Sequence, residues 1–297
     1  METKFFMMVG LPGCGKSIIA EEMAKSYDCN VYSSDSIREE INGDARCQDN
    51  KDEVFALLHK RIKDDLRAGK SCIYDATNIN WKRRQHFLSN ELRNINCKKV
   101  CILVAKPYEE CLKDNGERDR VVPTDVIERM YKNFHIPYYY EGWDDIEICY
   151  ASEYRFNIDE KIDSLMKYDQ GSKYHSLTLG GHLKATCDWL LENTTGDGID
   201  LIAALLHDIG KPFCRTEDLE NNTAHYYNHQ NVGAYDSLFL NSLANERERL
   251  DLAVTIMHHM DPYFWKSHET VEKYRTLWGV PLYLRVMKLH NADKAAH

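Results

Sequence analysis

The residues best suited to chemistry fall into two groups. In the first, Gly10-Leu11-Pro12-Gly13-Cys14-Gly15-Lys16-Ser17 has the glycines, lysine and hydroxyl of a phosphate-binding loop. Gly10, Gly13 and Gly15 let the backbone N–H groups around Cys14 turn toward phosphate oxygens. Lys16 can then reach the β and γ oxygens of ATP, and Ser17 can hold Mg²⁺. Asp35 and Arg38 follow, at the start of a predicted helix with Ser34 as its expected N-cap, so both point to one side. An aspartate there can take the proton of an attacking hydroxyl, and an arginine can hold the acceptor's phosphate. Taken singly, the same pair is as readily plain decoration of a first helical turn. Asp75 ends a predicted strand, where an acidic side chain holds Mg²⁺ or its waters. Arg118 and Arg120 can offset charge that spreads over a transferred phosphoryl group.

The second group is His182, His207-Asp208 and Asp293, on three predicted helices. His207 and Asp208 end an apolar helix, in Leu205-Leu206-His207-Asp208-Ile209-Gly210-Lys211, with Gly210 as the expected C-cap. Consecutive polar groups there need partners, and a metal ion is an economical one. Two imidazoles and two carboxylates make a mixed N/O site that suits Mn, Fe, Co, Ni or Zn better than Mg alone. A metal bound there would lower the pKa of water toward neutrality and polarise a phosphate oxygen. Lys211 is a candidate phosphate contact.

The elements that must position these residues differ between the two halves. Strands at Lys4–Val9, Asn30–Tyr32, Ser71–Tyr74 and Lys99–Ala105 alternate with helices at Ser17–Tyr27, Val54–Ala68 and Thr124–Phe134. That order predicts an α/β domain with a parallel sheet and right-handed crossovers. From about Ile158 strand patterns vanish, and an all-α domain is expected. Asp169 to Tyr174 reads as a polar junction. The boundary is placed near 160, giving domains 1–160 and 161–297.

Composition narrows the class. The 297 residues are 43% hydrophobic, enough for two cores, and no apolar run can span a bilayer. No secretory signal is present at the N-terminus, so a cytoplasmic protein is expected, in a bacterial or phage-infected cell. Ten scattered cysteines without a CxxC pair read as reduced core thiols. A net charge of −9 argues against a broad grip on a nucleic-acid duplex, but not against binding a strand end through local arginines. The Lys82-Arg83-Arg84 cluster fits either such a contact or solvated surface.

Gly10–Ser17, Asp35 with Arg38, Asp75–Asn78 and the arginines ahead of Val122-Pro123 together resemble the phage-type polynucleotide 5′-kinase family, over roughly residues 4–140. The resemblance implies ATP-dependent phosphorylation of a 5′-hydroxyl end. It makes Asp35 the general base, Arg38 the acceptor-phosphate contact, and Arg118 and Arg120 the lid arginines. The chain departs from it at Asp114-Asn115, where relatives often carry Arg-Asn. From about residue 168 onward, His182, His207-Asp208, His229, His258 or His259, and Asp293 resemble the HD superfamily of all-α phosphohydrolases. In that family the first His, the HD pair and the last Asp hold one metal, and the intervening histidines hold a second metal or the phosphate. His258 and His259 lie about 100° apart on a helix, so one of them faces the site, with the His259-Met260-Asp261-Pro262 context favouring His259.

Together the resemblances imply a bifunctional end-healing enzyme. One module phosphorylates 5′-OH ends, and the other removes a 3′-phosphate or 2′,3′-cyclic phosphate. The expected partners are RNA or DNA ends and a nucleic-acid ligase, with no membrane. The alternatives are a small-molecule or nucleoside kinase fused to an HD nucleotidase, and a non-enzymatic nucleotide sensor.

Overall fold

The central strand of the N-terminal sheet is β1 (Lys4–Val9), buried from Phe5 to Val9 because apolar side chains occupy both of its faces. In a computed structural model that describes every residue except 1, 48, 172–175, 244 and 297, β1 is followed by α1 (Lys16–Tyr27), β2 (Asn30–Ser33), α2 (Ser34–Asn42) and α3 (Lys51–Arg67). Next come β3 (Cys72–Asp75), α4 (Trp81–His86), β4 (Lys98–Ala105), α5 (Tyr108–Gly116), α6 (Thr124–Lys132) and β5 (Asp145–Tyr150). The five strands are all parallel, in the order β2-β3-β1-β4-β5. The register pairs Met7 with Tyr74 and Ser33 with Asp75. The chain therefore leaves β1, β3 and β2 at one edge, the carboxyl end where ligands of open α/β sheets bind.

The second half is helical: α7 (Ile158–Leu165), α8 (Leu179–Asn193), α9 (Gly198–Leu206), α10 (Lys211–Cys214), α11 (His229–Ser237), α12 (Glu246–His258), α13 (His268–Trp278) and α14 (Val280–Ala295). The expected absence of strands needs one correction. β6 (Thr216–Asp218) and β7 (Thr223–His225) form a short antiparallel hairpin, whose three-residue strands are too brief to leave an alternating pattern. On α8 the buried residues Leu179, His182, Leu183, Thr186 and Leu190 recur at helical spacing, so His182 lies on the stripe that meets the core.

The chain divides into two compact units, Met1–Met130 with Pro137–Glu153, and Tyr131–Ile136 with Tyr154–His297. The division thus lies ahead of residue 160, and Tyr131–Ile136 is an excursion absent from the sequence reading. Within the second unit Phe156 pairs with the backbone around Leu240 through hydrogen bonds of 3.0 and 3.1 Å. The unit therefore begins before its first helix. Of the polar junction expected over 169–174, residues 172–174 lie outside the described residues. Asp169 to Gly171 is folded structure, with Gln170 buried. Among the described residues no helix is long and apolar enough to cross a membrane, and all ten cysteines are free thiols.

Candidate nucleotide-binding and metal centres

The chain turns sharply after β1. Gly13 and Gly15 adopt φ of 82° and 93°, a left-handed conformation that disfavours side chains. At Gly13 a Cβ would also lie 2.2 Å from the Cys111 carbonyl oxygen. Lys16 is buried, and its Nζ donates to the Leu11 carbonyl at 2.7 Å across the loop. Ser17 Oγ donates to Asp75 Oδ2 at 2.7 Å, joining the first turn of α1 to the end of β3. The segment after β3 is tied to the same loop. Gly10 N donates to the Thr77 carbonyl at 3.1 Å, and Asn78 Nδ2 to the Met8 carbonyl at 2.9 Å.

Asp35 and Arg38 meet as their spacing predicts, with Arg38 Nη1 2.6 Å from Asp35 Oδ1. The helix cap is one residue earlier than expected. Ser33, still extended, accepts the Asp35 N–H at 3.2 Å, because Ser34 has already turned into the helix. Arg120 Nη1 lies 2.6 Å from the other oxygen, Oδ2, so one carboxylate sits between two guanidinium groups. Arg118 is exposed on the same bend and is not brought to Asp35. Buried Asn115 holds that bend, donating to the Val122 carbonyl at 2.9 Å and accepting its N–H at 3.0 Å.

Arg84 corrects the reading of its cluster as a surface feature. It is 1% exposed, donates to both oxygens of buried Glu141 at 2.7 and 2.6 Å, and reaches the Asn78 carbonyl at 2.8 Å. The cluster has helical spacing, so Arg84 turns inward while Lys82 and Arg83 stay exposed. A bidentate pair satisfies the fork of the guanidinium, which is how a charge this deep is tolerated. Nothing in the sequence marks Glu141 as the partner.

In the second unit the six expected donors converge. His182 Nε2 lies 3.2 Å from His207 Nε2 and 3.1 Å from Asp293 Oδ1. On the other side His229 Nε2 lies 2.9 Å from Asp208 Oδ1 and 3.3 Å from His259 Nε2. Asp208 spans the two groups: Oδ2 is 3.4 Å from His207 Nε2, and Oδ1 is 3.6 Å from His259 Nε2. Two sets, His182-His207-Asp293 and His207-Asp208-His259, bring their ligand atoms within 4.8 Å of one another, all buried. The structure brings in His259 and not His258. The His258 Nδ1 atom pairs with Asp261 Oδ2 at 2.8 Å, and its ring lies 4.4 Å from Trp278.

Three of the imidazoles are fixed from behind. The Nδ1 atoms of His207, His229 and His259 lie 2.9, 2.7 and 2.7 Å from the Ala204, Tyr226 and Ile256 carbonyls. Each Nδ1 must donate there, which points Nε2 at the cluster, where it offers a lone pair to a metal once any proton it carries is displaced. Outward lone pairs with buried carboxylates form a donor set that fits a divalent metal. Burial opposes charge on His207, but Asp208 and Asp293 outweigh it and push the imidazole up to about 10. Burial also opposes charge on Asp208, but Lys211 and the histidines hold its carboxyl well below the usual range.

Lys211 is committed: its Nζ lies 2.6 Å from Asp208 Oδ2 and 2.8 Å from Gln170 Oε1. Gly210 is not a left-handed cap, since its φ is −79°. Glycine is required there because a Cβ would meet the His229 carbonyl oxygen at 2.2 Å, so α10 and α11 approach to backbone contact. The last helix is anchored to α9. Arg285 pairs with Asp197 at 2.7 Å and Asp200 at 2.9 Å, and Lys288 with Asp200 at 2.8 Å. Asp197 also caps α9, accepting the Ile199 and Asp200 N–H groups at 3.0 Å. Sequence reasoning missed Gln170, Arg285 and Tyr263, whose hydroxyl donates to Asp293 Oδ2 at 3.0 Å.

Two domain families match the chain, one in each half. Residues 5–137 match the AAA domain family, and residues 175–296 match the HD domain family. An L-seryl-tRNA(Sec) kinase of Methanococcus maripaludis is 26% identical over 170 residues, which cover 55% of this chain and 65% of that protein. The chain therefore spans less than two thirds of that relative's length. Among solved structures, the Pnkp1/Rnl/Hen1 RNA repair complex is similar over 44% of this chain and 44% of that one, at 19% identity and a TM-score of 0.41. A gluconokinase from Sinorhizobium meliloti is similar over 50% of this chain and 83% of its own, at 13% identity and a TM-score of 0.38. A P-loop kinase domain implies ATP and Mg²⁺, and an HD domain implies divalent metal. The protein is a P-loop kinase domain followed by a helical HD domain.

Proposed function

We propose that the protein heals broken nucleic-acid ends, phosphorylating 5′-hydroxyls with ATP at one site and removing 3′-phosphate or 2′,3′-cyclic phosphate at the other. The observation that carries the kinase reading is Asp35, held at 2.6 Å by both Arg38 and Arg120. In this reading the 43% exposed Asp35 carboxylate has lone pairs left for the acceptor hydroxyl. Asp35 takes that proton as the hydroxyl oxygen bonds to the γ-phosphorus. The bond from phosphorus to the bridging oxygen breaks, and ADP leaves. Lys16 and Arg120 offset the charge spread over the transferred group, Arg38 holds the acceptor's phosphate, and Ser17 with Asp75 would hold Mg²⁺. Arg118 supplies a second mobile cation from the same bend.

At the HD centre the residues that would hold metal are His182, His207, Asp208, His229, His259 and Asp293. A metal there lowers the pKa of water and polarises the phosphate. Lys211 and Gln170 hold Asp208 in place, and Tyr263 holds Asp293. Each hydrolysis joins a water oxygen to phosphorus, breaks one bond to a sugar oxygen and returns a proton to that oxygen. A 3′-phosphate needs one such step and a 2′,3′-cyclic phosphate two.

The likeness to an L-seryl-tRNA(Sec) kinase favours a second reading, in which the acceptor hydroxyl is carried on a tRNA or is a small molecule. One assay separates them. An oligonucleotide with a 5′-OH and a 3′-phosphate or 2′,3′-cyclic end is incubated with ATP, Mg²⁺ and Mn²⁺, beside seryl-tRNA and mononucleotides. Both oligonucleotide ends should change, and comparing RNA with DNA names the substrate. Turnover of seryl-tRNA or mononucleotides alone would overturn end healing.

A further inference from the structure

A cavity of about 540 Å³ opens beside residues 76–80 in the kinase unit, between α3 and α4. Its wall is aromatic, built from Phe55 and His59 of α3, Tyr74 of β3 and Phe87. The rings pack against one another at a tilt: centroids lie 4.6 Å apart at 54° for His59–Phe87, 5.6 Å at 63° for Tyr74–Phe87 and 6.1 Å at 51° for Phe55–His59. Burial pushes the His59 imidazole down, so it adds a neutral ring. The exposed rim is net basic, with Lys51, Lys82 and Arg83 against one acid, Asp52. The cavity adjoins the paired Asp35 site, since the Arg38 guanidinium carbon lies 6.0 Å from the Phe55 ring centroid.

We propose that this cavity holds the 5′-terminal nucleobase of the phosphate acceptor, with Lys82 and Arg83 meeting the phosphates that follow it. The inference rests on the 5′-hydroxyl kinase reading. An aromatic wall beside a phosphoryl-transfer site, with Phe55 and His59 its partly exposed rings, matches a base, whose π-face stacks whatever its identity, and the basic rim matches a strand. A serine side chain has no ring face to place there. A pocket of several hundred Å³ is of the size that buries a nucleoside. The half-buried Phe55 supplies the edge nearest Arg38.

The test uses the whole chain with ATP and Mg²⁺, and two 5′-OH oligonucleotides that differ only in whether the 5′-terminal sugar carries a base. The wild-type KM should be roughly tenfold lower for the base-bearing end. In Phe55→Ala that ratio should fall toward one, and in Phe55→Trp it should persist. Equal wild-type KM values, with both ends phosphorylated, would overturn the base pocket and leave the kinase reading standing. A Phe55→Ala protein that keeps the wild-type ratio would overturn it as well. If neither end is phosphorylated while serine or another small hydroxyl compound is, the acceptor reading falls and the pocket with it.

Discussion

The two centres are built on opposite plans. The kinase site gathers short segments that leave adjacent strands at one sheet edge, and its key carboxylate remains 43% exposed. The HD centre draws its donors from helices and the turns that end them, and His207, Asp208 and His259 are all at most 2% exposed. A site whose key carboxylate stays in water can meet an acceptor there and lose that side chain without loss of fold. A buried polar cluster cannot, because each member satisfies or neutralises another. Substitutions should therefore cost chemistry alone at the first site, and chemistry with stability at the second.

The sharpest test is the reciprocal pair Asp208→Ala and Lys16→Ala. Asp208→Ala leaves the buried Lys211 ammonium without its 2.6 Å partner and should cost about 3–5 kcal/mol. Metal content and phosphohydrolase activity should fall together, read by elemental analysis, thermal unfolding and phosphate release. Lys16→Ala should lower kinase activity by about 10²–10³-fold with no change in unfolding temperature beyond a degree or two and with phosphohydrolase activity near wild type. Equal destabilisation by both would remove the contrast between the sites.

Asp35→Ala comes next. As a general base Asp35 should contribute about 10²–10⁴-fold to phosphoryl transfer, seen in single-turnover rates, while ATP affinity holds. A variant that loses ATP affinity with transfer unimpaired would make Asp35 a nucleotide contact instead.

How well each centre could be read from the sequence follows the same contrast. Gly10–Ser17 is continuous and sits between a strand and a helix, so its chemistry could be read residue by residue. His207-Asp208 was readable for the opposite reason, as charge where an apolar helix ends. Their partners were not, because Arg84–Glu141 and Lys211–Gln170 lie 57 and 41 residues apart, and no local pattern links such pairs. β5 was missed because an edge strand with alternating burial and two acids, Asp145 and Glu147, carries little apolar signal. Gly210 was misread as a cap because the sequence cannot distinguish a glycine needed for φ from one needed for close approach.

Tyr263→Phe sharpens the comparison at smaller scale. Removing the hydroxyl that donates to Asp293 Oδ2 at 3.0 Å should weaken metal affinity by about tenfold, measured by titration with a competing chelator. The ring stays, so the metal-free protein should lose only about 1 kcal/mol, the worth of one hydrogen bond. A stability loss without an affinity loss would make Tyr263 a packing residue only.

The smallest effect separates two neighbours. His258 and His259 are consecutive and both buried, and only the Met260-Asp261-Pro262 context ranks His259 first. The difference is one of direction. His259 turns its Nε2 to Asp208 and His229, while His258 turns to Asp261 and packs on Trp278. His258→Ala should therefore keep full metal content and phosphohydrolase activity, and lose about 1 kcal/mol of stability with the ring contact. His259→Ala should lose metal at modest cost in packing. The reverse outcome, with metal lost from His258→Ala and retained in His259→Ala, would mean that the α12 terminus turns differently around the ion. In that case Asp208 Oδ1 would face His229 without its second imidazole.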